Sequence, residues 1–229
     1  MNKSQKIQLI GESIKYWTIR ERPKILKLEG QYCLLEHIDV KKHFEDLYKV
    51  YGPDSNIENW TYLPFERFEN KDNFNKYLNF MSKSEDPFHY AIIDRRTGKA
   101  LGTIALMRIN EKDGVLEVGY VIYSEQLKKT RIATEAQFLL ASYVFDDLGY
   151  RRYEWKCDSL NEPSILSALR IGFSYEGTFR QALIYKGRNR DTSWFSIIDK
   201  EWKVRKKKLE TWLNFDNFDE NGRQIKKLR

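Results

Sequence analysis

Val115-Leu116-Glu117-Val118-Gly119-Tyr120-Val121-Ile122-Tyr123, followed after two residues by Gln126-Leu127-Lys128-Lys129-Thr130-Arg131-Ile132-Ala133-Thr134-Glu135-Ala136, decides the fold. The first nine residues are rich in β-branched and aromatic types and follow Asp113-Gly114, a hairpin turn signal, so they predict a strand. From Ala133 to Leu148 the pattern changes to helical spacing, with Ala136, Leu139, Leu140, Tyr143, Val144 and Leu148 on one stripe and Gly149 as the stop. Directly afterwards Arg152, Glu154 and Lys156 alternate with Tyr153, Trp155 and Cys157, the period of a second strand. A helix joining two strands of one sheet makes a crossover, so these strands are expected to run parallel.

Working outward, His89–Asp94 and Leu101–Ile109, punctuated by Thr97-Gly98, complete an antiparallel meander with the strand at 115. Upstream, Gln31–Glu36 reads as a strand. Asp39 is a plausible N-cap for a helix carrying Phe44, Leu47, Tyr48 and Tyr51, which Gly52-Pro53 ends. A second helix near Asp72 carries Phe74, Tyr77, Leu78 and Met81. Downstream, Asn161 caps a short helix to Arg170 that Gly172-Phe173 terminates. Strands near Thr178–Tyr185 and Thr192–Ile198, turned at Gly187, lead into a C-terminal helix. The expected fold class is α/β, with a single mixed, mostly antiparallel sheet flanked by helices, and not a doubly wound one.

A chain of 229 residues with 41% apolar content can bury a core of its own. Its net charge of +7 is unevenly placed: residues 1–30 carry +4 and residues 200–229 carry +5, leaving −2 for the rest. Three parts are therefore expected: a basic N-terminal arm over 1–30, read as extended because of Arg22-Pro23; a folded domain over 31–200; and a basic C-terminal helix and tail over 201–229. The run Arg205-Lys206-Lys207-Lys208, set between Trp202 and Leu209, Trp212 and Leu213, suits the solvated face of a helix. Cys33 and Cys157 form no Cys-x-x-Cys pattern, so buried thiols are expected and neither a zinc site nor any other metal is indicated. No segment approaches the ~18 apolar residues of a membrane span, so a cytoplasmic location without membrane contact is the default.

Phosphate-loop, dinucleotide and His-Glu-x-x-His motifs are absent, and Gly172-Phe173-Ser174-Tyr175-Glu176 lacks the final glycine of a nucleophile elbow. What remains is the junction at 126–136. A helix start offers orphan N–H groups and a positive dipole end, and Lys128, Lys129 and Arg131 add charge of the same sign, a combination suited to a pyrophosphate.

That junction resembles the acyl-CoA loop of the GNAT superfamily, in the branch similar to ribosomal-protein N-terminal acetyltransferases (RimJ/RimL-like). Gln126 stands at the first position of the Arg/Gln-x-x-Gly-x-Gly/Ala pattern, Lys129 and Arg131 replace the two glycines, and Ala133-Thr134-Glu135-Ala136 matches the helix start. Leu116–Tyr120 resembles the strand before the loop, where a local bulge exposes backbone. Asn161-Glu162-Pro163-Ser164 with Leu169–Phe173, and Tyr175-Glu176-Gly177 with Phe179-Arg180-Gln181 and Asp191, complete a resemblance that spans roughly residues 31–200. With the glycines gone, ordinary helical geometry is expected at 129 and 131.

The resemblance implies a GNAT-like acyltransferase fold and an enzyme in which a neutral amine attacks the thioester of acetyl-CoA directly. It puts the cofactor along Val121, Ile122 and Tyr123, its phosphates at Lys129, Thr130, Arg131, Ile132, Ala133 and Thr134, and Asn161 on its pantetheine arm. Ser164 is expected to protonate the leaving thiolate and Glu117 to act as base, since alternation sets Glu117 on one face with Gly119 and Val121. Asn161 and Ser164 equally fit a helix cap and its first turn, and Glu117 a solvent-facing carboxylate. The acidic residue that some ribosomal-protein members carry after the segment matching Arg180-Gln181-Ala182 is Leu183 here. The aromatic loop at Trp60 and Tyr62 suits either a wall of the acceptor site or the core. The acceptor is open between a protein N-terminus and a small-molecule amine, and a homodimer is allowed. The rival readings are a non-catalytic acyl-CoA-binding regulator and a ribosome- or RNA-associated protein using the basic ends.

Overall fold

The computed structural model describes residues 8–228; the first seven residues of the expected arm and Arg229 at the end of the tail lie outside the described residues. Local signals act where the sequence puts them. The Asp39 carboxylate accepts the N–H groups of Lys41 and Lys42 and opens α1 (Val40–Tyr51), and Gly52 closes it. Asn70 caps α2 (Lys71–Met81), Thr130 caps α3 (Arg131–Ser142), and Asn161 caps α4 (Glu162–Ile171), which Gly172 ends in the left-handed conformation. Helix α5 (Asp199–Leu213) buries Trp202, Leu209, Trp212 and Leu213 and leaves Lys207 and Lys208 of its basic run exposed, while Arg205 is half-buried beside Gly172 and Lys206 pairs with Asp146.

Among the described residues, eight strands form one sheet: β1 (Lys27–Glu29), β2 (Cys33–His37), β3 (Phe88–Asp94), β4 (Ala100–Asn110), β5 (Val115–Tyr123), β6 (Arg152–Asp158), β7 (Ser174–Tyr185) and β8 (Arg188–Ile198). Their order is β1-β2-β3-β4-β5-β6-β8-β7, and among these described strands β5 and β6 pair in parallel while the other neighbours are antiparallel, as the crossover requires. Alternation along β3 sends Tyr90 and Ile92 to a core under α3, α4 and α5, and Ala91 and Ile93 to a second core under α1 and α2. Both cysteines are free and buried.

Two features depart from the sequence reading. Lys27–Glu29 joins the sheet edge because the chain before it is docked: the Tyr143 hydroxyl accepts the N–H groups of Lys24 at 3.0 Å and Ile25 at 3.2 Å, and Tyr90 donates to the Ile25 carbonyl at 2.7 Å. The helix expected to run to Leu148 changes at Tyr143–Asp147 to a π-helical turn, in which consecutive Tyr143, Val144 and Phe145 are all buried. A 3.6-residue period cannot face three successive side chains inward; the widened turn does.

His89, on β3, is fully buried, neither ring nitrogen has a partner, and its ring meets Tyr120 edge-on at 5.2 Å. Burial pushes its pKa down to about 4. The unfolded chain takes up this proton near pH 6.5 and the folded chain only near 4. The associated stability is therefore present above pH 6.5 and is lost as pH falls towards 4, by about 3 kcal/mol in all. Urea titrations between pH 7 and 4 should show a shallower loss for His89→Gln, although burial also lowers His37 and His43; parallel curves for variant and parent would refute the assignment.

Candidate active site

Strands β5 and β6 pair from Val115/Arg152 to Val118/Trp155 and then separate. Beyond that point β5 pairs only with β4, and Lys156–Asp158 of β6 only with β8, so one backbone edge of each strand faces a gap. A β-bulge accompanies the separation. Between Thr103/Ile122 and Ala105/Gly119, three steps along β5 oppose two along β4, and Tyr120 takes a φ of 47°.

The bulge corrects the alternation drawn through Glu117, Gly119 and Val121. With one extra residue inserted, Val121 packs on the α3-side core and Ile122 on the α1/α2 side. Glu117 is on the opposite face from Val121 and does not line the cleft. Its carboxylate lies 2.8 Å from Lys156 Nζ and 3.4 Å from Arg108 Nε, and burial raises its pKa against the pull of Lys156.

The gap opens into a cleft of about 970 Å³, at the upper end of small-molecule sites. Val121, Ile122 and Tyr123 form one side, and Lys129, Thr130, Arg131, Ala133 and Thr134 meet it at the start of α3. Asn161 and Ser164 come in from α4, and Tyr62 closes over them by donating to the Leu160 carbonyl at 2.9 Å. Ile132 turns the other way, into the apolar packing around Tyr32 and Trp212. Trp60 is also not a wall. It is fully buried in the second core, its indole donating to Ser55 Oγ at 3.0 Å, because Tyr51 and Phe65 pack on it.

The loop geometry corrects a further expectation. Lys129 adopts a φ of 60°, a left-handed conformation that costs a non-glycine residue roughly 1–2 kcal/mol, so its turn is kept although the glycine is not. Arg131 does have helical geometry as the first residue of α3. The Thr130 hydroxyl accepts the Ala133 N–H at 3.2 Å, whereas among the described residues no hydrogen bond uses the N–H groups of Lys129, Arg131 or Ile132. Orphan donors at a helix start with an adjacent cation suit phosphate oxygens.

On α4, the Asn161 side-chain oxygen accepts the Ser164 N–H at 3.2 Å, so the capping role is real, and Asn161 also borders the cleft. Ser164 Oγ accepts the Trp155 indole N–H at 2.9 Å, which leaves its own hydrogen available to donate.

Sequence reasoning missed Trp155 and Arg170 as lining residues, and also the far wall, which Trp212, Phe218, Gly222, Arg223 and Gln224 supply. Arg170 lies inside the quoted Leu169–Phe173 element, so a signal existed. The far wall had none, because its residues are distant in sequence from Arg131 and Arg170, which they meet across the cleft.

The Acetyltransferase (GNAT) domain model matches residues 33–174. A crystal structure of a GCN5-related N-acetyltransferase from Brucella melitensis superimposes with a TM-score of 0.91 at 42% identity, covering 94% of this chain and 97% of that one. The N-acetyltransferase p20 of Bacillus licheniformis, itself uncharacterised, is 29% identical over 139 residues, 61% of this chain and 78% of its own. YdaF of Bacillus subtilis, provisionally named a ribosomal N-acetyltransferase, is 30% identical over 109 residues, 48% of this chain and 59% of its own.

Proposed function

Because the chain belongs to the GNAT acetyltransferase family, we propose that it transfers an acetyl group from acetyl-CoA to a primary amine, either a protein N-terminus or a small molecule. The observation that carries this reading is the separation of β5 from β6 beside the start of α3, with Ser164 of α4 bordering the same cleft. Acetyl-CoA, when bound, supplies an activated acyl group, and the residues around the cleft have the donors to hold and discharge it. The N–H groups and cations at 129–132 hold the phosphates. The open edge of β5 at Val121–Tyr123 offers backbone groups to the amide-bearing arm, opposite Asn161. Ser164 donates a proton to the departing thiolate. Glu117 faces away from this cleft and its carboxylate is held by Lys156, so the proton that the amine must lose goes to solvent water and not to Glu117. Tyr62 contributes an aromatic surface next to the reacting end.

Calorimetry on the purified protein should show acetyl-CoA and CoA binding in the micromolar range, about −8 kcal/mol, with ATP much weaker. An amine and peptide panel should then release free thiol. No CoA binding would overturn the whole reading. CoA binding without turnover on any amine would favour the regulatory alternative.

A further inference from the structure

The cleft has two ends of different chemistry. The reacting end holds Ser164, Val121 and Tyr62. The opposite end, beyond the start of α3, is closed by the segment after α5, and three arginines border it: Arg131, Arg170 and Arg223. Lys128 is paired with Glu125, whereas among the described residues no carboxylate lies within ion-pair distance of these three arginines.

Two of the three are aimed by aromatic rings. Arg131 lies over Tyr32 at 4.3 Å and over Phe218 at 5.2 Å. Arg170 lies over Trp212 at 4.6 Å and donates to Thr134 Oγ1 at 3.0 Å. Stacking fixes the plane of a guanidinium and leaves edge donors for an anion. The segment itself is a built loop. Asn217 binds the carbonyls of Trp212 and Lys226 at 2.9 and 3.1 Å and accepts the Lys226 N–H at 2.8 Å, while Trp212 donates to Gln224 at 2.9 Å. Gly222, at φ 74°, turns the chain alongside Arg131, where a β-carbon would sit 3.8 Å from the guanidinium carbon. The neighbouring Asp219 carboxylate is taken up by the N–H groups of Asn221 and Arg223.

Resting on the acetyl-CoA reading above, we propose that this loop is a specificity element of the cleft, and that Arg223, with Arg131 and Arg170, recognises the ribose 3′-phosphate of CoA. Three unpaired cations at one end of a cleft repel one another, and a dianion there relieves the repulsion while taking several charge-assisted hydrogen bonds. What extends beyond the pyrophosphate, away from the thioester, is the phosphorylated nucleoside.

The test compares CoA with 3′-dephospho-CoA by calorimetry on the full chain. The unmodified protein should prefer CoA by about tenfold or more, or about 1.4 kcal/mol. Arg223→Ala should weaken CoA by about fivefold to tenfold and leave 3′-dephospho-CoA within about twofold, and Arg223→Lys should keep most of the preference. Equal binding of the two ligands by the unmodified protein, or equal weakening of both in Arg223→Ala, would overturn this inference alone. Binding of neither ligand would instead overturn the acetyl-CoA reading on which it rests.

Discussion

Glu135→Ala is expected to melt about 10–20 °C below the unmodified protein, the largest stability loss from any single substitution considered. Glu135 lies in the second turn of α3 and is almost fully buried. Its carboxylate accepts three backbone N–H groups, from Gln31, Tyr32 and Cys33, each at 2.7 Å, and so ties α3 to the turn between β1 and β2. At Gly30 in the same turn a β-carbon would fall 2.5 Å from that carboxylate, so the contact needs glycine there. Alanine would leave three donors without a partner, those of Tyr32 and Cys33 buried, a cost of roughly 4–6 kcal/mol. In a chain of this length each kcal/mol moves the melting temperature by about 2–4 °C. Circular-dichroism melts of Glu135→Ala and Glu135→Gln measure it; the amide keeps one acceptor and should fall between the two. An alanine variant melting within about 3 °C of the parent would mean that the carboxylate does not hold the turn. The consequence reaches the cleft, because Tyr32 supports Arg131, so CoA affinity should fall with stability.

The tie between Glu135 and residues 31–33 also shows where sequence reading stops. Ala133-Thr134-Glu135-Ala136 is legible as a helix start, but the partners of Glu135 are about a hundred residues away and carry no side-chain signature, since they are backbone N–H groups. Local chemistry was readable. Asp39, Asn161 and Gly172 cap the helices they were expected to cap, and the crossover from β5 to β6 followed from the change of period alone. The strand at Lys27–Glu29 was not, because it depends on the hydroxyls of Tyr90 and Tyr143, which nothing near residue 25 announces.

At the site the same division holds. The cationic loop and the Asn161–Ser164 element are contiguous stretches, and the structure brings them to one cleft. Glu117 was set on a face by counting in twos, and a one-residue bulge at Tyr120 breaks that count between it and Val121. Trp60 and Tyr62 are two residues apart in one aromatic loop, yet one is core and the other borders the cleft; a 3₁₀ turn ending at Trp60 decides which. The loop after α5 shows no motif, and only packing reveals it as a wall.

Ser164→Ala should lower turnover by about 100- to 1,000-fold while acetyl-CoA affinity changes by less than about threefold. Three features fix the hydroxyl before any ligand arrives. Pro163 restricts the backbone in the first turn of α4, the Asn161 side chain holds the Ser164 N–H, and the Trp155 indole donates to Oγ. Because the indole can only donate, the serine hydrogen is free to be given away. Burial raises the pKa of the Cys157 thiol on the same strand as Trp155, so it stays neutral and does not compete as an anion for the proton. Alanine removes the donor and leaves the Trp155 N–H unpaired, which should cost about 1–2 kcal/mol of stability, a shift of a few degrees. Comparing rate with affinity separates a proton donor from a structural residue. Loss of the proton donor lowers the rate of the chemical step at saturating acetyl-CoA, whereas a collapsed cleft weakens binding as well. A variant that turns over at the parent rate, or one whose rate and affinity fall together, would take Ser164 out of the chemistry and leave it as the first-turn partner of Asn161.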